Sequence, residues 1–295
     1  MNEPILEVKN LVQDFVINRN FTVHAVRDVS FSVSKGEIFG IVGETGSGKS
    51  TLGKSIMGVN KITSGEVYFK GWKISDKAVY HQHRKDLYTN MQIIFQDSAA
   101  ALNPQMTVEE IIAEPLKMNK LVQTKTELES IIEGTMKSVG LPPEYRTKRP
   151  SEISGGQRQR TAITRSIALN PDLIIADEPI ASLDISLQAQ IVTLFQKLQK
   201  EHGFSFIFIA HDLSLMRFLS DRVAVMLKGK VVELGETLEV FENPCHPYTR
   251  SLFSAVPHPD PKYEHGRKIL EYDTASFTGD GVFEEISPGH FVLTE

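Results

Sequence analysis

The sequence predicts an α/β fold: a largely parallel sheet, a strand-rich first third, and a helical segment inserted into the core. Three observations carry this. Ile38 to Val42, Gln92 to Phe95, Leu173 to Ala176, Phe204 to Ala210 and Val223 to Leu227 are short, nearly continuous apolar runs, as expected of strands covered on both faces. Helical spacing fills the chain between them, the alternation that builds parallel sheets. From Asn103 to Arg149 that alternation stops, and Glu, Lys, Leu and Ile recur at helical spacing with Pro115 and Pro142-Pro143 as breakers.

Ahead of these lie Leu6 to Leu11, Val29 to Val33 and Glu66 to Phe69, short β-branched or alternating strands with Gly36, Gly65 and Gly71 at the turns between them. Ile38 to Val42 runs into a glycine-rich loop and then into STLGKSIMGV, which reads as a helix. Beyond Gly235 the pattern weakens, and Pro244, Pro247, Pro257, Pro259 and Pro261 fall close together. The expected organisation is a first domain over 1–235, with the helical insertion at about 97–160, and an irregular C-terminal extension over 236–295.

Composition narrows the classes. Hydrophobic residues at 41% and charged residues at 23% suit a globular chain that buries a core. The net charge of −5 gives a general nucleic-acid binder no support. Cys245 is the single cysteine, so no internal disulfide can form, and it reads as a small half-buried hydrophobe. No run approaches the ~20 apolar residues of a membrane span, and the strongest, Phe204 to Ala210, has strand length. The start MNEPILEVKN has an acidic residue and no long apolar core, so no secretory leader is expected. The expected location is the cytoplasm, with any membrane role exercised through partners.

Gly43-Glu44-Thr45-Gly46-Ser47-Gly48-Lys49-Ser50 fits the phosphate-loop pattern G-x4-G-K-[ST]. Glycines let the backbone curl until successive N–H groups face phosphate oxygens. The following helix, which Thr51 continues, adds the positive end of its dipole. Lys49 can then reach the β- and γ-phosphates of a nucleotide and the Ser50 hydroxyl can ligate Mg²⁺.

Leu173-Ile174-Ile175-Ala176-Asp177-Glu178 is an apolar strand ending in two acids. Asp177 at its tip could hold Mg²⁺ through water, and Glu178 could polarise an attacking water. Either acid alone is an ordinary strand end; beside the phosphate loop the pair gains meaning. His211 follows the run Phe204 to Ala210 and could touch a γ-phosphate, though a histidine there is usually structural.

Ser154-Gly155-Gly156-Gln157-Arg158 lies between the phosphate loop and the acidic strand and opens a helical pattern. With it the sequence resembles the ABC ATPase family from about Leu6 to Gly235. The resemblance implies a P-loop NTPase (RecA-like) core with an N-terminal antiparallel β subdomain and an inserted helical subdomain. Gly43 to Ser50 match the Walker A loop, Gln96 the Q-loop glutamine and Mg²⁺ ligand, and Ser154 to Gln157 the signature. Asp177 and Glu178 match Walker B and the catalytic glutamate, Ser182-Leu183-Asp184 the D-loop, and His211 the switch histidine. Phe15 is either the aromatic that stacks on adenine or a core side chain. In the family the signature forms a second anion site facing the γ-phosphate held by another cassette, so ATP glues a head-to-tail dimer.

The ends resemble a narrower group. Phe95-Gln96-Asp97 with Ala101-Leu102-Asn103-Pro104, and Asn243-Pro244-Cys245-His246-Pro247-Tyr248-Thr249, look like segments of peptide-permease ATPases shared by oligopeptide, dipeptide and nickel importers. Glu285 to Val292 resembles the tail of their oligopeptide F-type subunits. This resemblance implies ATP hydrolysis for peptide uptake at the cytoplasmic face of a bacterial membrane. The implied partners are a related second ATPase in a heterodimer, two membrane permease subunits and an extracytoplasmic binding protein. Nickel import, a soluble ABC ATPase acting on DNA or ribosomes, and a P-loop kinase are the alternatives. A kinase has no use for SGGQ, and the single cassette with a short insertion suits a transporter, so no nucleic-acid partner is expected.

Ser98, Ala101, Ile153, Ile180 and Ala181 depart from the family pattern without removing a catalytic group. Some relatives carry a cysteine cluster for an iron–sulfur centre after this segment, which one cysteine cannot provide. His81 and His83 read as part of a solvated loop rather than a metal pair, and His246 as a packing or capping residue.

Overall fold

The computed structural model describes residues 3–181, 184–256 and 268–294 and, at 98, 99 and 185, the backbone only. In chain order the strands and helices begin with β1 (Leu6–Asn18), β2 (Phe21–Val33), β3 (Ile38–Val42), α1 (Lys49–Ile56), β4 (Ser64–Phe69) and β5 (Trp72–Lys73). There follow α2 (Lys77–Asn90), β6 (Met91–Ile94), α3 (Ser98–Ala101), α4 (Val108–Met118), α5 (Lys125–Ser138), α6 (Gly155–Ile167), β7 (Leu173–Asp177) and α7 (Ile185–His202). The chain closes with β8 (Ser205–Ala210), α8 (Leu213–Leu219), β9 (Arg222–Leu227), β10 (Lys230–Glu236), α9 (Thr237–Glu242), α10 (Pro247–Ser254), β11 (Val282–Ser287) and β12 (His290–Thr294). These elements make a mixed α/β P-loop NTPase fold with one antiparallel and one mixed sheet. Two compact units divide them: Met1–Leu6, Ser32–Glu37 and Tyr68–Ile207 form the first, and Glu7–Phe31, Ile38–Val67 and Phe208–Glu295 the second.

In the second unit all five residues of β3 are buried, and β3 pairs in parallel with β9 from Phe39↔Arg222 to Val42↔Val225. Asp221 closes the start of this pair by accepting the Ile38 N–H at 2.8 Å. From β9 the sheet continues antiparallel to β10, β12 and β11. The antiparallel sheet holds β2, β1 and β4 side by side; Val8, Leu11 and Gln13 of β1 are buried at alternate positions, with one step added at Asn10, whose φ is 47°.

In the first unit β6 and β7 pair in parallel from Met91↔Leu173 to Ile94↔Ala176. The helical insertion has its own core, in which Leu102, Ile111 and Ala162 pack with Met106. α4 starts on a capping box, Thr107 accepting the Glu110 N–H while Glu110 accepts the Thr107 N–H. Phe195 of α7 meets Phe206 of β8 edge to face at 5.4 Å.

The structure corrects several expectations. β1 and β2 run 13 residues each, well past the short strands expected, because their outer halves are exposed and carry no core pattern. Pro115 lies inside α4 rather than ending it. His81 and His83 belong to α2, not a loop, and the His83 ring stacks on Trp72 at 3.9 Å. Among the described residues the C-terminal extension is not irregular throughout: α9, α10, β11 and β12 are regular, and β12 joins β10 through Glu233↔Val292. β11 left no alternating signature because nearly all of it is exposed. Pro257, Pro259 and Pro261 lie outside the described residues.

Candidate functional site

The phosphate loop belongs to the second unit, and its glycines are required by backbone neighbours. Gly43 has φ +147°, and a Cβ there would stand 2.2 Å from the Met226 carbonyl oxygen. Gly48 has φ +102°, and a Cβ would stand 2.1 Å from the Ala25 carbonyl oxygen. Only a side chain of hydrogen fits such approaches. The Gly229 N–H donates to the Ser47 carbonyl at 2.9 Å, tying the loop to the β9–β10 turn. α1 begins at Lys49 with no side-chain cap, so the positive end of its dipole faces the loop and favours an anion.

Lys49 is 3% exposed. A buried ammonium must be hydrogen-bonded to persist. Its Nζ donates to the carbonyls of Gly43 and Glu44, each at 2.8 Å. The lysine is thus parked on the loop's own oxygens, in a cradle whose chemistry suits a phosphate. Glu44, Thr45 and Gly46 form the exposed outer turn, Ser47 is buried, and Ser50 and Thr51 are half-buried in the first turn of α1.

In the first unit β7 delivers Asp177 to its tip at 4% exposure. Glu178 follows in left-handed backbone, φ 46°, a conformation costly for a residue with a Cβ and concentrated at functional sites. The Gln96 amide donates to the Glu178 carboxylate at 3.2 Å. The structure therefore brings together two residues that lie 82 positions apart.

Ser154 to Gln157 form the start of α6. Ser154 is the N-cap: its hydroxyl accepts the Gln157 N–H at 3.3 Å, and the Gln157 side-chain oxygen accepts the Ser154 N–H at 2.7 Å. This is a capping box. Gly156 is buried against Leu187, whose Cδ1 would lie 3.3 Å from an added Cβ, while Ser154 is exposed. An exposed helix N-terminus led by Ser, Gly and Gly offers amides and a dipole to an anion.

Asp184 is the N-cap of α7, accepting the Leu187 N–H at 2.9 Å; Ser182 and Leu183 lie outside the described residues. Phe15, on the outer part of β1, is 36% exposed, so it is not the fully buried core residue of the alternative reading. His211 is exposed directly after β8, and the next residue, Asp212, caps α8 through the Ser214 N–H.

Sequence reasoning missed one contributor to the loop. The Tyr248 hydroxyl accepts the Glu44 N–H at 3.1 Å. The run Asn243 to Thr249 resembles a family segment, but nothing local in it signals that Tyr248 reaches the phosphate loop. His246 caps α10, its Nδ1 accepting the Tyr248 N–H at 3.1 Å, in keeping with the capping role expected of it.

Comparisons with known proteins follow the same lines. The ABC transporter family matches residues 26–181, and the oligopeptide/dipeptide transporter C-terminal region matches residues 232–278. The chain is 50% identical to the oligopeptide transport ATP-binding protein OppF of Bacillus subtilis, over 99% of this chain and 97% of that one. It is 46% identical to the OppF of Streptococcus mutans, over 98% of this chain and 94% of the relative. A solved dimer of the ATP-binding cassette MJ0796, in a post-hydrolysis state bound to ADP and Pi, superposes with a TM-score of 0.71 at 28% identity, covering 79% of this chain and 98% of that one.

Proposed function

The chain belongs to the ABC transporter family, and from that premise we propose that it is the ATP-hydrolysing subunit of an importer for oligopeptides or dipeptides. The observation that carries the reading is the union, in one chain, of a glycine cradle holding a buried lysine with the C-terminal region of peptide transporters. Residues 1–235 are the ATPase domain, with a helical subdomain inserted at about 97–160, and residues 236–295 are the extension.

In this reading the loop amides from Gly43 to Ser50, the Thr51 turn and Lys49 hold the nucleotide phosphates, and Phe15 stacks on adenine. Glu178 takes a proton from water as its oxygen bonds to the γ-phosphorus. The bond from that phosphorus to the bridging oxygen breaks, and ADP leaves with the electron pair. Gln96 orients Glu178, and His211 donates to the γ-phosphate. The Ser50 hydroxyl, the Gln96 amide oxygen and the buried Asp177 carboxylate are each hard oxygen donors of the kind Mg²⁺ takes. Mg²⁺ carried with the nucleotide would supply charge neutralisation for the phosphates.

Ser154 to Gln157, with Asp184, would serve a second cassette. Their amides receive the γ-phosphate held by a related ATPase in a heterodimer, so ATP favours the closed pair. Two permease subunits and an extracytoplasmic binding protein complete the importer. Among the described residues no helix is long and apolar enough to cross a membrane, which suits a subunit seated on the cytoplasmic face of a bacterial membrane through its partners.

The test is direct. Lys49→Ala should abolish ATP binding, and Glu178→Gln should bind ATP, stop hydrolysis and trap a closed dimer. A deletion strain should lose peptide uptake and regain it with the wild-type gene alone. Normal hydrolysis by Glu178→Gln would remove the base, and loss of nickel rather than peptide uptake would reassign the cargo.

A further inference from the structure

A single peptide plane in the phosphate loop is gripped from both ends. The Gly43 carbonyl accepts the Lys49 ammonium at 2.8 Å, and the N–H of the same plane, that of Glu44, donates to the Tyr248 hydroxyl at 3.1 Å. Tyr248 is 1% exposed, and its ring meets Tyr272 edge to face at 5.8 Å. Burial pushes its phenol up to about 12, so the group at the loop is a neutral hydroxyl, which accepts through its oxygen lone pair.

What fixes Tyr248 is a buried carboxylate. Glu233 of β10 is fully buried. Its two oxygens accept the Cys245 and His246 N–H groups, each at 2.9 Å, immediately before α10. His290 of β12, also buried, approaches the same carboxylate through Nε2 at 2.8 Å. Donor atoms of Glu233, Cys245 and His290 lie within 4.8 Å of one another, a spacing a metal could use. Here, however, the carboxylate oxygens already serve two amides and an imidazole. A buried charge so satisfied is rigid and expensive to disturb, which makes the cluster an anchor.

We propose that the C-terminal extension sets the shape of the phosphate loop, with Tyr248 as the positioning residue and Glu233 with His290 as its anchor. The proposal rests on the reading of Gly43 to Ser50 as the nucleotide cradle. Lys49 must leave the Gly43 and Glu44 carbonyls to reach a phosphate. Tyr248 keeps the vacated peptide plane from turning, so the cradle is already formed when nucleotide arrives. Pre-organisation of this kind appears in affinity, because the disordered alternative need not be ordered on binding.

The experiment uses the full chain. Tyr248→Phe deletes only the hydroxyl, so the ring packing stays. ATP affinity should weaken about three- to tenfold, the scale of one neutral hydrogen bond, with the loss falling on KM more than on kcat. Hydrogen exchange at the Glu44 amide should quicken. Glu233→Gln should move both readouts the same way, and if it fails to fold, Tyr248→Phe decides alone. Unchanged ATP affinity and unchanged Glu44 exchange in Tyr248→Phe would overturn the proposal. Lys49→Ala separates the two readings: if it binds ATP normally the cradle itself is misread, whereas a dead Lys49→Ala beside a normal Tyr248→Phe sinks only the positioning role.

Discussion

The Gln96 side-chain amide lies 3.2 Å from the Glu178 carboxylate and donates to it, while Glu178 itself is held at φ 46°. A strained backbone and a hydrogen-bonded side chain together aim one carboxylate in one direction. Reaction rates respond steeply to the placement of such a group.

Gln96→Ala should therefore slow hydrolysis on the order of tenfold, because the carboxylate is released to other rotamers. Phosphate release at saturating Mg-ATP measures this. Turnover at the wild-type rate would show that the contact does not orient Glu178.

Two loop glycines should differ in what they tolerate. Gly46→Ala meets no atom within 4 Å, but its φ is +86°, so strain alone should cost about 1–2 kcal/mol. Gly48→Ala adds a collision with the Ala25 carbonyl, so the loss should reach roughly 3 kcal/mol or more. Denaturant melts of the two variants give the comparison; equal losses would contradict the steric account.

Tyr248 supplies a pH prediction. Burial raises its phenol to about 12, whereas an unfolded tyrosine loses its proton near 10. The folded state thus holds the proton more tightly. Its contribution to stability is complete below pH 10 and is lost as pH rises from there towards 12. Phenolate absorbance of the seven tyrosines should show a late component that disappears in Tyr248→Phe. A variant titration identical to wild type would contradict this.

Cys245 should be a sluggish thiol. Burial first, and then the nearby Glu233 charge, push its pKa up, so the reactive thiolate is scarce near neutrality. Alkylation of the native protein should be several-fold slower than that of free cysteine and should recover on unfolding. Removing the charge by Glu233→Gln should speed it.

Much of the site was legible because its chemistry is local. The cradle needs Gly43, Gly48 and Lys49 within one loop; the signature cap needs Gln157 three residues after Ser154; the acids follow an apolar strand directly. Pro115 misled because a proline inside a helix looks, in sequence, like one that ends it. The α2 histidines misled because an exposed polar helix has little apolar periodicity. β11 and β12 escaped because their pairing with each other and with β10 defines them, not their own pattern.

By itself, then, the sequence determined what consecutive residues can enforce: the phosphate-curling loop, the buried strands, the capped helix tip and the chemical class of the ligand. Tertiary structure alone decided which distant groups meet. Glu44 finds Tyr248 across 204 residues, and Glu233 finds His290 across 57. A hydrogen bond over such a separation leaves no period or spacing in the chain. It exists only because β10, α10 and β12 fold into one unit with the loop, where a buried N–H or carboxylate must find a partner.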